Sequence, residues 1–179
     1  MGACSAHPGA AVITSSGVTY SNAEIKEAAQ ELFDMKLTPS VDTEYGIRAN
    51  LMNSGAVAAA GASVGITVTD EQVDAVIARD VAEVGGTVPA KMGRATRAIF
   101  ESQAIGRLIN AQIQVDPTAE KIAAAALHEA QMNSGGIINP RFPQPTLGGG
   151  RTPTMPLFGD AVSGAKDDPM AALMGGSAQ

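Results

Sequence analysis

The sequence predicts a mainly α fold, in which a five-helix domain carries a small antiparallel β element. Apolar residues make up 45% of the chain, whereas aromatic residues make up 3% and tryptophan is absent. Alanine is the best helix former and fills little volume, so this composition favours closely packed helices over a β-sandwich. Two capping boxes begin helices, and glycines or prolines follow most of the predicted helices.

The β element begins with a hairpin that follows a flexible leader, residues 1–10. The stretch AAVITSSGVTYS holds two short apolar segments, residues 11–14 and 18–20. Gly17 between them supplies the positive φ of a tight turn. An isolated hairpin is marginally stable, so we expect another strand to pair with it. Ile137 and Ile138, which are cut off by Pro140, are the predicted partner strand.

Five helices are predicted between these strands, over residues 21–35, 43–63, 69–84, 89–113 and 116–134. Ser21 with Glu24 and Thr69 with Gln72 form the two capping boxes. Pro89 is suited to the first turn of the fourth helix, where its missing N–H is harmless. Asp116 is the predicted N-cap of the fifth.

Two of the predicted helices are rich in small residues, and their buried faces are inferred from spacing. In the second helix, the predicted inner stripe consists of Ile47, Leu51, Gly55, Ala58 and Ala62. The side chains in the second half of this stripe are small, which suits a place where another helix passes close. In the fifth helix, the residues predicted to face inward are Ile122, Ala123, Ala126, Leu127 and Ala130.

The composition changes at residue 143. Of the last 37 residues, five are proline and seven are glycine. That share is typical of disordered sequence. We therefore predict three parts: the leader over 1–10, the helical domain over 11–142, and a Gly/Pro-rich disordered tail over 143–179.

The charge pattern is opposed to nucleic-acid binding. The formal net charge is −6, whereas a nucleic-acid binder normally presents a basic field to the phosphates. One basic run does exist, at Lys91, Arg94, Arg97 and Arg107. The segment before it is acidic, at Asp70, Glu71, Asp74, Asp80 and Glu83. We interpret the two as complementary faces of neighbouring helices.

Residues suited to catalysis are few. The two histidines, His7 and His128, lie far apart in the sequence, and no Cys/His cluster has the spacing of a zinc site. No G-x-S-x-G elbow, Walker loop or G-x-G-x-x-G pattern occurs. We therefore expect a protein that is not an enzyme and that uses no cofactor and no metal.

Three stretches carry a resemblance to a known family. They are AAVITSSGVTYSNAEI at the hairpin and first helix, ASVGITVTDEQVDAVI before the third helix, and GGIINPRF at the last strand. In this order they resemble the N-terminal domain of SurA-type extracytoplasmic chaperones, and most closely that of actinobacterial lipoproteins. The resemblance covers roughly residues 10–142. It implies non-catalytic, chaperone-like binding of unfolded or extended client polypeptides in the cell envelope.

The same resemblance gives expectations for the two ends of the chain. Many relatives continue into a parvulin prolyl-isomerase domain, but only the tail follows Phe142, so catalysis of proline isomerisation is not implied. Lipoproteins of this kind mature at a cysteine preceded by small residues, and GACS has that form. Cys4, the only cysteine, is therefore the expected lipid attachment site of an extracytoplasmic, membrane-anchored protein. The apolar signal that should precede Gly2 is not present in this chain.

Methionines spread over several helices suit a surface that accepts varied apolar partners. The candidate peptide-binding residues are Met52, Val57, Met92, Ile99 and Phe100. An alternative function is a structural or assembly protein, such as a virion or envelope component, whose Ala-rich helices form oligomer contacts. The small-residue stripe of the second helix suits that alternative equally well.

Overall fold

The structure, a computed structural model, describes residues 9–40 and 43–143. Within these residues the chain forms three strands and five helices, which confirms the predicted fold class. The strands are β1 (Ala10–Ile13), β2 (Thr19–Ser21) and β3 (Ile137–Ile138). The helices are α1 (Asn22–Asp34), α2 (Glu44–Ser63), α3 (Asp70–Glu83), α4 (Arg94–Val115) and α5 (Thr118–Ser134). Most of the predicted leader and tail, at 1–8 and 144–179, lie outside the described residues.

The strands form one antiparallel sheet that joins the two ends of the folded region. Its order is β2-β1-β3, with Val12 opposite Tyr20 on one side and opposite Ile138 on the other. Gly17 has a φ of +84° in the hairpin turn. Asn139 extends the junction, because its backbone N–H donates to the Ala11 carbonyl at 2.9 Å. The predicted third strand is therefore confirmed.

Helix α4 lies at the centre of the fold and contacts the other four helices. The core contains the apolar faces of α1, α3 and α4 together with the start of α2 and the inner side of the sheet. Its largest fully buried side chains include Phe100, Ile25, Met35 and Leu51. These are large aliphatic or aromatic residues, and burying each contributes about 1.5–3 kcal/mol relative to leaving it exposed.

Helices α1 and α3 begin as the sequence predicts. Both capping boxes form: the Ser21 N–H donates to the Glu24 carboxylate at 2.8 Å, and the Thr69 N–H donates to the Gln72 side chain at 2.9 Å. In each box the hydroxyl accepts in return from the N–H of the third residue. These bonds satisfy helix-end donors that would otherwise lack partners.

Helix α4 begins at Arg94, five residues later than predicted. Its N-cap is Gly93, whose backbone N–H donates to a carboxylate oxygen of Glu31 at 2.8 Å. The Thr96 hydroxyl donates to the other oxygen of the same carboxylate. A side chain from α1 thus caps α4. The prediction from Pro89 was wrong because local sequence rules do not include a cap supplied from 62 residues away.

The predicted burial of α2 was partly wrong. Ile47 and Leu51 are buried, as expected, but Ala58 and Ala62 are exposed. The buried small residues are instead Ala56, Ala60 and Gly61. Gly55 lies against the hairpin turn, where a Cβ atom would come within 2.8 Å of the Ser16 nitrogen. Because almost every position in this half of α2 is small, spacing alone does not mark the inner face.

Helix α5 packs mainly on α2, and three of its residues predicted to face inward, Ala126, Leu127 and Ala130, are partly buried. Ala123 is buried as predicted, and Ala119 is buried as well. Ile122, which was predicted to face inward, is 49% exposed. The run of alanines from 123 to 126 satisfies several helical registers at once, so the buried side of α5 is decided by its packing partner.

The interpretation of the charged faces is confirmed for two of the four basic residues. Arg97 bonds Asp70 at 3.0 Å and Asp74 at 2.8 Å, and Arg107 bonds Asp80 at 2.6 Å. These pairs join α4 to α3. Arg94 instead bonds Glu24 of α1 at 2.8 Å and donates to the Thr19 carbonyl of the edge strand β2.

Candidate functional site

An apolar cleft opens where the start of α2, the end of α1 and the side of α3 meet α4. Its volume is about 320 Å³, at the lower end of the range of roughly 300–1,000 Å³ typical of ligand pockets. Among the described residues, the cleft is lined by Leu32, Leu37, Thr38, Thr43, Gly46, Ile47, Asn50, Asp80, Ile99, Phe100 and Gln103. We call it the α2–α4 cleft.

The floor of the α2–α4 cleft is apolar. Ile47, Ile99 and Phe100 are almost fully buried in the core and present only a small part of their surface to the cleft. Leu32 and the partly buried Leu37 are the other apolar residues of the lining. These side chains come from three different helices and one loop, so their arrangement is fixed by the packing of the core.

A sharp turn after α1 places Leu37 at the cleft. Lys36 has a φ of +63°, in the left-handed region, which ends the helix and turns the chain away from the helix axis. The Leu37 N–H then donates to the Leu32 carbonyl at 2.9 Å. The Lys36 ammonium donates to the Gly85 carbonyl at 3.0 Å, which ties this turn to the end of α3.

Polar groups surround the apolar floor. Asn50 and Gln103 are exposed amides on α2 and α4, and Asn50 donates to the Gly46 carbonyl at 3.0 Å. The hydroxyl oxygen of Thr43 is buried and has no hydrogen-bond partner among the described residues. These amide and hydroxyl groups are of the type that pairs with the backbone of a bound peptide.

Asp80 is the one ionisable side chain among the described residues of the cleft lining. Arg107 donates two hydrogen bonds to its carboxylate, at 2.9 and 2.6 Å, and Arg79 donates at 3.1 Å. The Arg107 bonds hold the pKa of Asp80 below its usual value, against a smaller opposing effect of burial, and Arg79 acts in the same direction. The carboxylate is thus ionised and paired, which leaves it poorly suited to act as a general base.

The five candidate peptide-binding residues do not form one surface. Ile99 and Phe100, which are 3% and 2% exposed, meet at the cleft floor. Met52 and Met92 are partly buried and pack against the core outside the cleft lining. Val57 is partly exposed on α2, also outside the lining. Cys4 lies outside the described residues.

Sequence reasoning missed the rest of the cleft. Leu37, Asn50 and Gln103 carry no motif, and they come together only because α1, α2 and α4 pack against one another. The one local signal was Pro39, which predicted that the chain turns after α1.

A second concavity, of about 640 Å³, lies beside the sheet and is lined by β1, β3 and residues 139–142. Next to it, the buried Arg48 stacks on the Phe142 ring, with 4.0 Å between the guanidinium carbon and the ring centroid. Arg48 also donates to Asn22 at 3.1 Å and pairs with Glu44. The stacking joins the closing segment of the domain to α2, the bond to Asn22 joins α2 to α1, and we interpret these contacts as structural.

Across residues 9–40 and 43–143, no group of three or more His, Cys, Asp or Glu side chains is arranged to hold a metal ion. Within the same ranges, no helix is long and apolar enough to cross a membrane. Neither protein-family models, nor curated proteins, nor solved structures contain a match to this chain. The resemblance to the SurA-type N-terminal domain therefore stays a sequence-based prediction.

Proposed function

We propose that the protein is a non-catalytic, chaperone-like binding protein whose α2–α4 cleft holds apolar side chains of unfolded or extended polypeptides. The observation that carries this proposal is the cleft itself. It combines an apolar floor, amide and hydroxyl groups, one carboxylate that is already paired with Arg107, and a volume suited to one or two side chains.

The expected binding is weak and tolerant of sequence. Burying one leucine-sized side chain contributes about 1.5–3 kcal/mol, at roughly 25 cal/mol for each Å² of apolar surface. Immobilising the bound segment offsets part of that gain. The floor residues select only for apolar character, because none of them offers a hydrogen bond. Weak, unselective binding is what transient protection of an unfolded client needs.

The proposed location is the cell envelope, with Cys4 as the site of lipid attachment. This part of the proposal depends on the GACS sequence and on the resemblance to lipoproteins. A longer form that includes the native signal should incorporate labelled palmitate. Absence of label in that form, or equal label in its Cys4→Ala variant, would contradict the proposal.

The cleft can be tested by filling it from α2. Gly46 lines the cleft, and a Cβ atom there meets nothing within 4 Å. Gly46→Leu should fold normally while occupying the site. Gly106→Leu is the matched control, because Gly106 also lies in a helix, has open space at Cβ, and is outside the cleft. The measurement is light scattering from an aggregating unfolded client.

We expect the wild-type chain and Gly106→Leu to delay aggregation when present in molar excess, and Gly46→Leu to lose most of that delay. Circular dichroism of the three proteins checks that each is folded. If the wild-type chain gives no delay, the chaperone-like function is wrong. If Gly46→Leu protects as well as the control, the client binds elsewhere on the protein.

A structural or assembly protein is the second candidate, because large apolar side chains on α4 and α5 are exposed. They include Leu108, Val115, Ile122 and Met132. An assembly protein should form larger particles of defined stoichiometry, which light scattering detects. Binding of client by a small species that does not build into larger particles favours the chaperone-like function instead.

A further inference from the structure

The outer face of α5 is exposed along its whole length. Each residue of a helix is rotated by about 100° from the one before it, and the residues of this face all point within about 60° of the direction of Ala125. They are Thr118, Lys121, Ile122, Ala125, His128, Glu129 and Met132, and all seven are exposed. Ile122 and Met132 are 49% and 72% exposed. The opposite side of α5 packs on α2.

The charges of this outer face are complementary about Ala125. Lys121 precedes Ala125 by four residues and Glu129 follows it by four. Thr118 and Met132 lie seven residues before and after. A face of this kind is self-complementary when a second copy lies antiparallel across it, because two-fold symmetry exchanges the two ends of the helix.

Lys121 and Glu129 form no ion pair among the residues that the structure describes. They are eight residues apart, about 12 Å along the helix axis, so they do not pair within one chain. In a two-fold antiparallel arrangement centred on Ala125, Lys121 of each copy lies level with Glu129 of the other. The arrangement thus creates two equivalent ion pairs.

The same arrangement places Ile122 level with His128, and Met132 level with Thr118, of the other copy. The small side chain of Ala125 lies next to the symmetry axis and permits close approach of the two helices. Ile122 and Met132 then lose exposed apolar surface, which is the main favourable contribution to association.

We propose that the outer face of α5 binds a second copy of this chain, which gives a closed, two-fold symmetric dimer. The charge complementarity about Ala125 favours a second copy over an unrelated partner, for which no such symmetry is required. The dimer is independent of peptide binding, because Ala125 and its neighbours do not line the α2–α4 cleft. A closed dimer also differs from an open assembly. Each copy covers the outer face of α5 of the other, so this face is not available to a third copy.

Sedimentation velocity of the full chain over a concentration series tests the dimer, together with two charge reversals. Lys121→Glu and Glu129→Lys each place like charges opposite one another twice. Each should raise the dimer dissociation constant at least about tenfold. The double variant Lys121→Glu/Glu129→Lys restores opposite charges and should restore the wild-type constant. Both positions are exposed, so circular dichroism should report an unchanged fold.

Ala125→Glu is a second, independent disruption, because it places two like charges on the symmetry axis. Gly46→Leu should dimerise normally, which separates this result from a failure of the cleft. A wild-type chain that is monomeric at every concentration would overturn the proposal. The proposal would also be overturned if the single charge reversals left the dimer dissociation constant unchanged, or if the double variant did not return it to the wild-type value.

Discussion

Helices α3 and α5 are similar in length but differ in how they are held. Helix α3 buries Val73, Ile77 and Val81 on one face and forms ion pairs with α4 on another. Among the side chains of α5 that the structure describes, the buried ones are Ala119 and Ala123, while Ile122 and Met132 are exposed. One helix is fixed by large apolar side chains and charge, and the other by close approach of small residues.

The difference shows how side-chain size affects both packing and exposure. A large aliphatic residue among polar ones has one favourable position, facing the core. An alanine buries little apolar surface whichever way it faces. An alanine-rich helix therefore presents to its neighbour whichever side fits best. Some of its large residues are then left free for other contacts. In this protein two of them, Ile122 and Met132, lie on the outer face of α5.

The largest expected effect comes from the same substitution made in a helix that buries large apolar residues and in the alanine-rich α5. Ile25 of α1 is fully buried and Ile122 of α5 is 49% exposed. Ile25→Ala should reduce the free energy of unfolding by about 2–5 kcal/mol, because it leaves a cavity in the core. Ile122→Ala should change it by less than about 0.5 kcal/mol. Urea denaturation at low protein concentration measures both, and equal losses would contradict the assigned burial.

An intermediate effect is expected where helices approach through glycine. A Cβ atom at Gly61 would lie 2.7 Å from Cγ2 of Ile105, whereas a Cβ atom at Gly106 meets nothing within 4 Å. Gly61→Ala should therefore destabilise the fold by about 1–3 kcal/mol through overpacking. Gly106→Ala should stabilise it by about 0.5–1 kcal/mol, because alanine is the better helix former. Thermal unfolding of the two variants should shift in opposite directions.

The smallest expected effect concerns the ion pair that joins α3 to α4. Asp80→Asn should lower the free energy of unfolding by about 1 kcal/mol at neutral pH. The pKa of Asp80 is lowered on folding by Arg107, so its stabilisation is complete above the ordinary value of 3.8 and is lost as the pH falls below it.

Urea denaturation at pH 7 and at a pH well below 3.8 measures this dependence. The difference between the wild-type chain and Asp80→Asn should shrink as the pH falls. Asp70→Asn is the control, because Asp70 pairs with Arg97 while its side chain is 87% exposed, and its effect should be smaller. A difference for Asp80 that is constant with pH would show that the ion pair is not its cause.

The sequence was sufficient to predict the architecture because the decisive signals are local. The capping boxes at Ser21 and Thr69, the turn at Gly17 and the strand before Pro140 each act within a few residues. The pairing of Val12 with Ile138 was predictable for a different reason: a lone hairpin needs a further strand. The start of α4 was not predictable, since Glu31 of α1 supplies its cap.

The candidate site was less predictable than the fold. Ile99 and Phe100 were predicted as binding residues because they are large and apolar. Core residues are also large and apolar, and both side chains lie mainly in the core. The other cleft residues are ordinary in sequence. Leu37 reaches the cleft only because Lys36 adopts a positive φ. A cleft assembled from four helices and a loop has no signature in any one of them.

The central claim is that the α2–α4 cleft, and not the exposed face of α5, binds an extended apolar chain. Titration of a soluble apolar peptide into ¹⁵N-labelled protein, followed by backbone amide NMR, tests it most directly. We predict that the amides of Gly46, Asn50 and Gln103 shift together and saturate at one peptide concentration. Shifts concentrated at Ile122, Ala125 and Glu129, or no shift at the three cleft amides, would contradict it.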